Sequence, residues 1–284
     1  MTGPTTTPAT QGPEGDRLLV ALDVDGTLLT YSGELLPGVR SAVAAVHDAG
    51  HHVVLATGRS LHATVPIALE LGIDRGWAVC SNGSVTIRID PALPGGYEVD
   101  EMITFDPGPA LRLMYAEVPD AYFAVEVIGA GFRMNKAFPE GELSGHHEIV
   151  GIADLAAQDV TRLIVRSPGH TSEEFHALVA RAGMADVTYA IGWTAWMDVA
   201  PAGVTKASAL ERLRRILGVD GDSTVAVGDG NNDVEMLRWA ARGVAMGHAP
   251  EHVRAAADEV TASVDEAGSI PVLRSLAGVR PAQG

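Results

Sequence analysis

Cysteine is almost missing from this chain: Cys80 is the single one in 284 residues. That excludes an intramolecular disulfide and is compatible with a reducing compartment. Cys80 ends the apolar run "WAVC" (77–80), the setting of a small buried hydrophobe rather than a nucleophile. Long apolar runs are missing too. No stretch reaches the ~18 residues that a membrane-spanning helix needs. The opening "MTGPTTTPATQGPEGD" has neither the basic start nor the apolar middle of a secretion signal. Its Thr, Pro and Gly content predicts a disordered leader over residues 1–16, and a soluble, cytoplasmic protein is expected. Basic residues are outnumbered, 20 Lys and Arg against 36 Asp and Glu, for a formal net charge of −16. That balance argues against nucleic acid and anionic membrane as partners. It also sets a problem if the substrate is an anion, because positive charge must then be supplied locally. Internal repeats are absent, and no feature sets an oligomeric state.

What is present is a regular alternation at both ends of the chain. "LLVAL" (18–22), "VVLATG" (53–58) and "WAVCSNG" (77–83) read as strands, separated by the helical stretches "LPGVRSAVAAVHDAG" (36–50) and "SLHATVPIALELG" (60–72). Pro66 is expected near the tolerated first turn of the second helix. Runs that are apolar throughout suggest strands covered on both faces, as in a parallel sheet of strand–helix–strand units. The grammar returns with the helix "TKASALERLRRILG" (205–218), the strand "TVAVGDG" (224–230), the helix "DVEMLRWAARG" (233–243) and the strand "GVAMG" (243–247). Between them lie half-polar segments such as "VTIRID", "AYFAVEVIG" and "VTRLIVRS", with separate helices, which suggest a sheet open on one face. The predicted architecture is α/β: a Rossmann-like doubly wound core (17–85 and 193–284) interrupted by an inserted α+β cap domain (86–192).

The chemistry concentrates at predicted strand ends, where open α/β sheets bind ligands. Asp23 and Asp25 follow the first strand, and residues i and i+2 of an extended segment face the same side. The second strand ends in Thr57, Gly58 and Arg59. A later one ends in "GDGNND", offering Asp229, Asn232 and Asp233, and Lys206 opens a helix well placed to reach the same rim.

This set resembles the haloacid dehalogenase superfamily of phosphohydrolases, and its Cof-type branch above all. The resemblance rests on "DVDGTLL" (23–29), "ATGR" (56–59), "SNG" (81–83), "GVTKASAL" (203–210), "GDGNND" (228–233) and "GVAMGHA" (243–249), in the family's order and covering both core blocks. It implies a nucleophile at Asp23 that forms an aspartyl-phosphate, and a general acid and base at Asp25. It implies phosphoryl contacts from Thr57, Gly58, Lys206 and Asn232. It also implies Mg²⁺ held by Asp23, Asp229 and the backbone carbonyl of Asp25, with Asp233 supporting the metal's water shell. The ion and Lys206 would then supply the missing positive charge. The implied activity is a Mg²⁺-dependent phosphatase of a small phosphorylated metabolite, sugar phosphates first. A phosphosugar mutase of the same superfamily and a non-catalytic phosphometabolite-binding regulator stand as alternatives.

Other readings of these residues fit less well. "DGNND" opens like a calcium loop, but position six is Val234 and position twelve Ala240, so an EF-hand fails. A glycosyltransferase DxD would leave Thr57, Lys206 and "GDGNND" unexplained. Arg59 is expected to be structural or capping, Trp193 and Trp196 to pack, and the pairs His51–His52 and His146–His147 to sit on surface or loops. His248 stands where the family often has asparagine, which puts a role for that loop in doubt. Glu126 and the polar stretch "GFRMNKAF" (131–138) are candidate cap contacts to a leaving group; Arg133, Asn135 and Lys136 fit a sugar or a second anionic group and fit a solvated edge loop equally well.

Overall fold

The computed structural model describes residues 17–278 apart from 183, 185–186 and 193–194, so the predicted leader and Trp193 lie outside the described residues. No helix among those described is long and apolar enough to cross a membrane.

The first block runs β1 (Leu19–Leu22), α1 (Val39–Asp48), β2 (His52–Ala56), α2 (Leu61–Glu70), β3 (Gly76–Cys80), β4 (Val85–Ile89) and β5 (Tyr97–Met102). The middle block runs α3 (Gly108–Glu117), β6 (Tyr122–Val127), β7 (Gly131–Met134), β8 (His146–Ile149), β9 (Leu163–Arg166), α4 (Ser172–Ala182), β10 (Val187–Ile191) and β11 (Trp196–Pro201). The last block runs α5 (Lys206–Ile216), β12 (Thr224–Gly228), α6 (Val234–Trp239), β13 (Arg242–Ala245), α7 (Glu251–Arg254), β14 (Glu259–Val260) and α8 (Ser269–Ala277).

Eight of these strands form one sheet, in the order β14-β13-β12-β1-β2-β3-β4-β5. From β14 to β3 every pairing is parallel. β1 is buried along its whole length, and its residues divide by alternation. Val20 and Leu22 pack with Val43 and Val46 of α1 and Leu273 of α8, whereas Leu19 and Ala21 pack with Leu210 and Leu213 of α5 and Met236 of α6. A strand covered on both faces has no polar side to show, hence the unbroken apolar run.

The second sheet has the order β10-β11-β9-β6-β7-β8. One face carries Phe123, Val125, Leu163, Val165, Met197 and Val199 against α3 and α4. The alternate residues, including Ala124, Phe132 and Ile164, face the other way. Glu126, Arg162, Trp196 and Asp198 keep step with them, and it is this face that looks onto the carboxyl ends of β1 and β12.

The sheets correct the expected division at residues 86 and 193. β4 and β5 extend the core sheet as an antiparallel hairpin, and Val85, Ile87 and Ile89 are buried in the core cluster. β11 pairs with β9 and β10 in the second sheet. The chain therefore changes sheets between Met102 and Gly108, and again between Pro201 and Lys206. Alternation at a covered sheet edge reads in sequence like a half-open strand, which is why the hairpin looked like part of the insert. Two local corrections follow the same logic. His51 is buried, because its ring Nδ1 accepts from the Leu18 N–H at 3.2 Å, just outside the ladder. Pro66 falls past the first turn of α2, since the Ser60 side chain caps that helix at Leu61.

Candidate active site

Ladder register builds the site. Leu22 pairs with Val227 on one side and Leu55 on the other, so the residues that follow each strand arrive side by side. The Asp23 N–H donates to the Val227 carbonyl at 3.0 Å, which carries Asp23 out beside Asp229. Val24 turns into the core and is fully buried.

Lys206 ties the carboxylates together. Its side chain is fully buried, and its ammonium donates to Asp23 Oδ1 at 2.5 Å and to Asp233 Oδ1 at 2.7 Å. The lysine is placed by α5, whose N-cap Thr205 accepts from the Ser208 N–H. "SNG" makes room for that helix start: a Cβ on Gly83 would lie 2.2 Å from the Thr205 carbonyl oxygen, and Gly83 has φ +106. Asp233 Oδ2 accepts from the backbone N–H groups of Asp229 and Gly230 at 2.9 and 2.8 Å. Asp229 accepts from the Thr27 hydroxyl at 3.1 Å and from the Tyr31 hydroxyl.

Three buried carboxylates lie close together, and the one ammonium among them pairs with Asp23 and Asp233 only. Burial pushes the Asp23 carboxyl well above the usual range, and the charge on Asp233 adds to the rise. Burial and Asp233 raise Asp229 in the same way. Burial works to lower Lys206, but the charges of Asp23 and Asp233 overcome it, and the lysine is raised. Such a group suits a cation. Asp23, Asp229 and Asp233 each offer an oxygen within 4.8 Å of the others, a set of hard donors of the kind that holds Mg²⁺ with retained waters. Because Asp233 already accepts from three donors through its two oxygens, it suits orienting the shell better than direct ligation.

Gly26 sets the distance between the first motif and Asp229. Its φ is +82, and a Cβ there would lie 2.4 Å from Asp229 Oδ2. Gly26→Ala is expected to cost ~1–2 kcal/mol in backbone strain. It should also displace Asp229, weakening divalent-cation affinity by roughly 10–100-fold; calorimetric titration of Mg²⁺ into the variant measures this directly.

A cavity of about 370 Å³ opens over these groups, with Asp23, Asp25, Asp229, Gly58, Arg59 and Asn232 on its core side. Of the residues singled out from sequence, Asp23, Asp229, Asp233 and Lys206 form the buried cluster just described. The Asp25 carboxylate is turned instead to Arg59, which donates to it through Nε at 2.8 Å and Nη2 at 2.5 Å. Arg59 is the ion partner of Asp25 on the cavity wall, and its own guanidinium is raised by that hydrogen bond. The Thr57 hydroxyl is buried and accepts from the Arg59 N–H at 3.1 Å. Asn232 donates to Asn82 Oδ1 at 2.9 Å, and Asn82 holds the left-handed conformation at φ 55.

The cap side differs from expectation. Arg133 reaches the Asp154 carbonyl and Glu148. Asn135 joins the Phe123 N–H and the Ala121 carbonyl, and Lys136 donates to the Asp120 carbonyl at 2.5 Å over the Tyr122 ring. All three fasten the cap to itself through these contacts. Glu126 is buried between the domains, accepting from the Ser81 hydroxyl at 2.6 Å and the Thr161 hydroxyl at 3.2 Å. The cavity's cap wall includes Phe132, Glu142, Leu143, Arg162, Trp196 and Asp198; Phe132 belongs to the stretch 131–138 and Trp196 stands out in sequence, whereas the other four do not. Alternation could have found Asp198, which sits two residues after Trp196 on the inward face of β11. His248 also belongs to the site, with Nε2 3.5 Å from Asp229 Oδ2 and its ring edge-on to Tyr31.

Comparison with known proteins gives the same picture. Residues 20–93 and 130–273 match the family model of haloacid dehalogenase-like hydrolases. Phosphatase YwpJ of Bacillus subtilis is 27% identical over 288 residues, covering 91% of this chain and 99% of that protein. Pyridoxal phosphate phosphatase YbhA of Escherichia coli is 28% identical over 265 residues, covering 85% and 92%. Among solved structures, the subclass IIB sugar phosphatase BT4131 superposes with a TM-score of 0.75 at 25% identity, over 92% of this chain and 99% of that one. BT1666 from Bacteroides thetaiotaomicron superposes with a TM-score of 0.73 at 25% identity, over 97% and 100%.

Proposed function

This chain belongs to the haloacid dehalogenase-like hydrolases and is a phosphoric monoester hydrolase, and from that premise we propose that it uses Mg²⁺ to hydrolyse small sugar phosphates through an aspartyl-phosphate on Asp23. One observation carries the reading. Asp23 lines the cavity while Lys206, at 2.5 Å, and the neighbouring carboxylates prepare it to meet both a cation and an anion.

Asp23 and Asp229 would hold the ion, with Asp233 orienting its shell; once bound, it neutralises charge on the carboxylates and the phosphoryl oxygens. In the first step an Asp23 carboxylate oxygen attacks phosphorus, the ester P–O bond breaks, and Asp25 gives its proton to the departing alcohol oxygen. In the second step Asp25 takes a proton from water, the water oxygen bonds to phosphorus, and the P–O bond to Asp23 breaks, releasing inorganic phosphate. To reach the departing oxygen, the Asp25 carboxyl would have to leave Arg59, which holds both its oxygens. Lys206 balances the negative charge on Asp23 before attack and on the transferring group during it. Thr57, Gly58 and Asn232, on the rim beside it, position the phosphoryl oxygens.

The test is release of inorganic phosphate from a set of hexose and pentose phosphates. Phosphate should appear with Mg²⁺, cease with excess chelator and return on adding the ion back. An isomeric sugar phosphate as the product would identify a mutase instead, and metal-independent release would overturn the proposal.

A further inference from the structure

Lys206 bonds to Asp23 and Asp233, and the donors on the Asp229 carboxylate come from two loops instead. The Thr27 hydroxyl reaches Oδ1 at 3.1 Å and the Tyr31 hydroxyl reaches Oδ2; both residues lie between β1 and α1. His248, between β13 and α7, brings Nε2 to 3.5 Å from the same Oδ2. That is a close electrostatic contact rather than a full hydrogen bond. The Tyr31 and His248 rings meet edge to face, with centroids 5.6 Å apart. Tyr31 is 57% exposed, so burial of its ring does not account for a hydroxyl set on a buried acid. The backbone decides which proton His248 carries. Its Nδ1 accepts from the Val264 N–H at 3.2 Å, in the loop between β14 and α8. A backbone amide only donates, so Nδ1 bears no proton and the ring's N–H is at Nε2. Nε2 is shut off from solvent and has no hydrogen-bond partner among the described residues, and Asp229 Oδ2 is the acid beside it.

We propose that Tyr31 and His248 are positioning residues for the divalent cation: they clasp Asp229 by Oδ2 so that Oδ1 meets the ion, and His248 acts as an N–H donor, never as a ligand. The inference rests on the Mg²⁺ reading above and adds the residues that set the affinity. A carboxylate has about four lone-pair sites, roughly two on each oxygen. Tyr31 and His248 take up those on Oδ2, Thr27 takes one on Oδ1, and the open one is left on Oδ1. A ligating imidazole nitrogen must be free of its proton, and the Val264 N–H keeps that proton on Nε2. The site therefore stays all-oxygen although an imidazole lies beside it. Oxygen-only sites suit Mg²⁺ and Mn²⁺, whereas an imidazole ligand would draw Zn²⁺ and its neighbours.

Calorimetric titration of MgCl₂ into the full-length, chelator-treated protein tests this without any turnover. Tyr31→Phe and His248→Ala should each weaken Mg²⁺ binding about 10-fold or more. His248→Gln, whose amide N–H can stand near the place of the Nε2–H, should stay within about threefold of wild type. Tyr31→Phe removes one hydroxyl from an exposed ring, which keeps the test open if His248→Ala folds poorly. Pulsed electron paramagnetic resonance of Mn²⁺ bound to the wild type should show no directly bonded nitrogen. Unchanged or tighter Mg²⁺ binding in either folded variant would overturn the clasp, as would a loss in His248→Gln equal to that in His248→Ala. A nitrogen coupling that vanishes in His248→Ala would make the histidine a ligand and overturn its donor role. A wild-type protein that binds no Mg²⁺ at all would instead strike at the Mg²⁺ reading of the function.

Discussion

Asp23→Asn is expected to lower kcat by roughly 10⁴–10⁶-fold, the range seen when a nucleophile or its equal partner is removed, while the protein stays folded. Asparagine keeps the shape of the side chain and an oxygen that accepts from Lys206. It removes the attacking electron pair's charge and with it any covalent phosphoenzyme. A second consequence is separable from activity. Burial raises the Asp23 carboxyl in the folded state above its usual value of 3.8. A raised group contributes stability that is fully present below its unfolded value and is lost as pH rises through its folded value. The metal-free wild type should therefore lose stability across that interval, and the variant should show a shallower slope. Thermal unfolding against pH, with and without Mg²⁺, reads this beside steady-state kinetics. A variant that folds and turns over within tenfold of wild type would remove Asp23 from the nucleophile's role.

Lys206→Met should give the largest stability change of any single substitution at the site. It leaves Asp23, Asp229 and Asp233 buried with no cation among them, and stripping one partner from a buried ionic group costs about 3–5 kcal/mol. In a chain of this size that is a fall in Tm on the order of 10 °C. Mg²⁺ should restore part of the loss, because the ion answers the same deficit. Lys206→Arg should not substitute for the wild type, since a planar five-donor fork cannot occupy the space of a buried ammonium bonded to two oxygens. A Tm unchanged in Lys206→Met without metal would show that the three carboxylates do not depend on this lysine.

Some of the site was legible because the relevant physics is local. A strand ending in "DVDG" must send Asp23 and Asp25 to one side with Val24 to the other, whatever surrounds it. Motifs placed after continuous apolar runs must lie at the carboxyl edge of a parallel sheet. The cap wall was less legible because its residues are ordinary in sequence. Arg162 looks like one more basic residue before a strand, and its partners Glu126 and Asp198 lie 36 residues away on either side. Asn135 and Lys136, which look exposed and polar as a ligand contact should, are used up in holding β6 and β7 together. The hairpin β4–β5 misled for a related reason. An edge strand with one polar face reads alike whether it borders the core sheet or begins a new domain.

Alternation, strand ends and motif order, all written in the chain, determined that this is a doubly wound α/β protein whose carboxylates gather at one rim. Folding in three dimensions decided which carboxylate meets which cation. The pairing of Leu22 with Val227 sets Asp23 beside Asp229, α5 delivers Lys206 to Asp23 and Asp233 rather than to Asp25, and Arg59 takes Asp25 for itself. The reason is range. Side-chain direction along a strand is fixed by the backbone within a few residues, whereas the ångström-scale distances that choose an ion's partner depend on how segments nearly 200 residues apart in sequence dock.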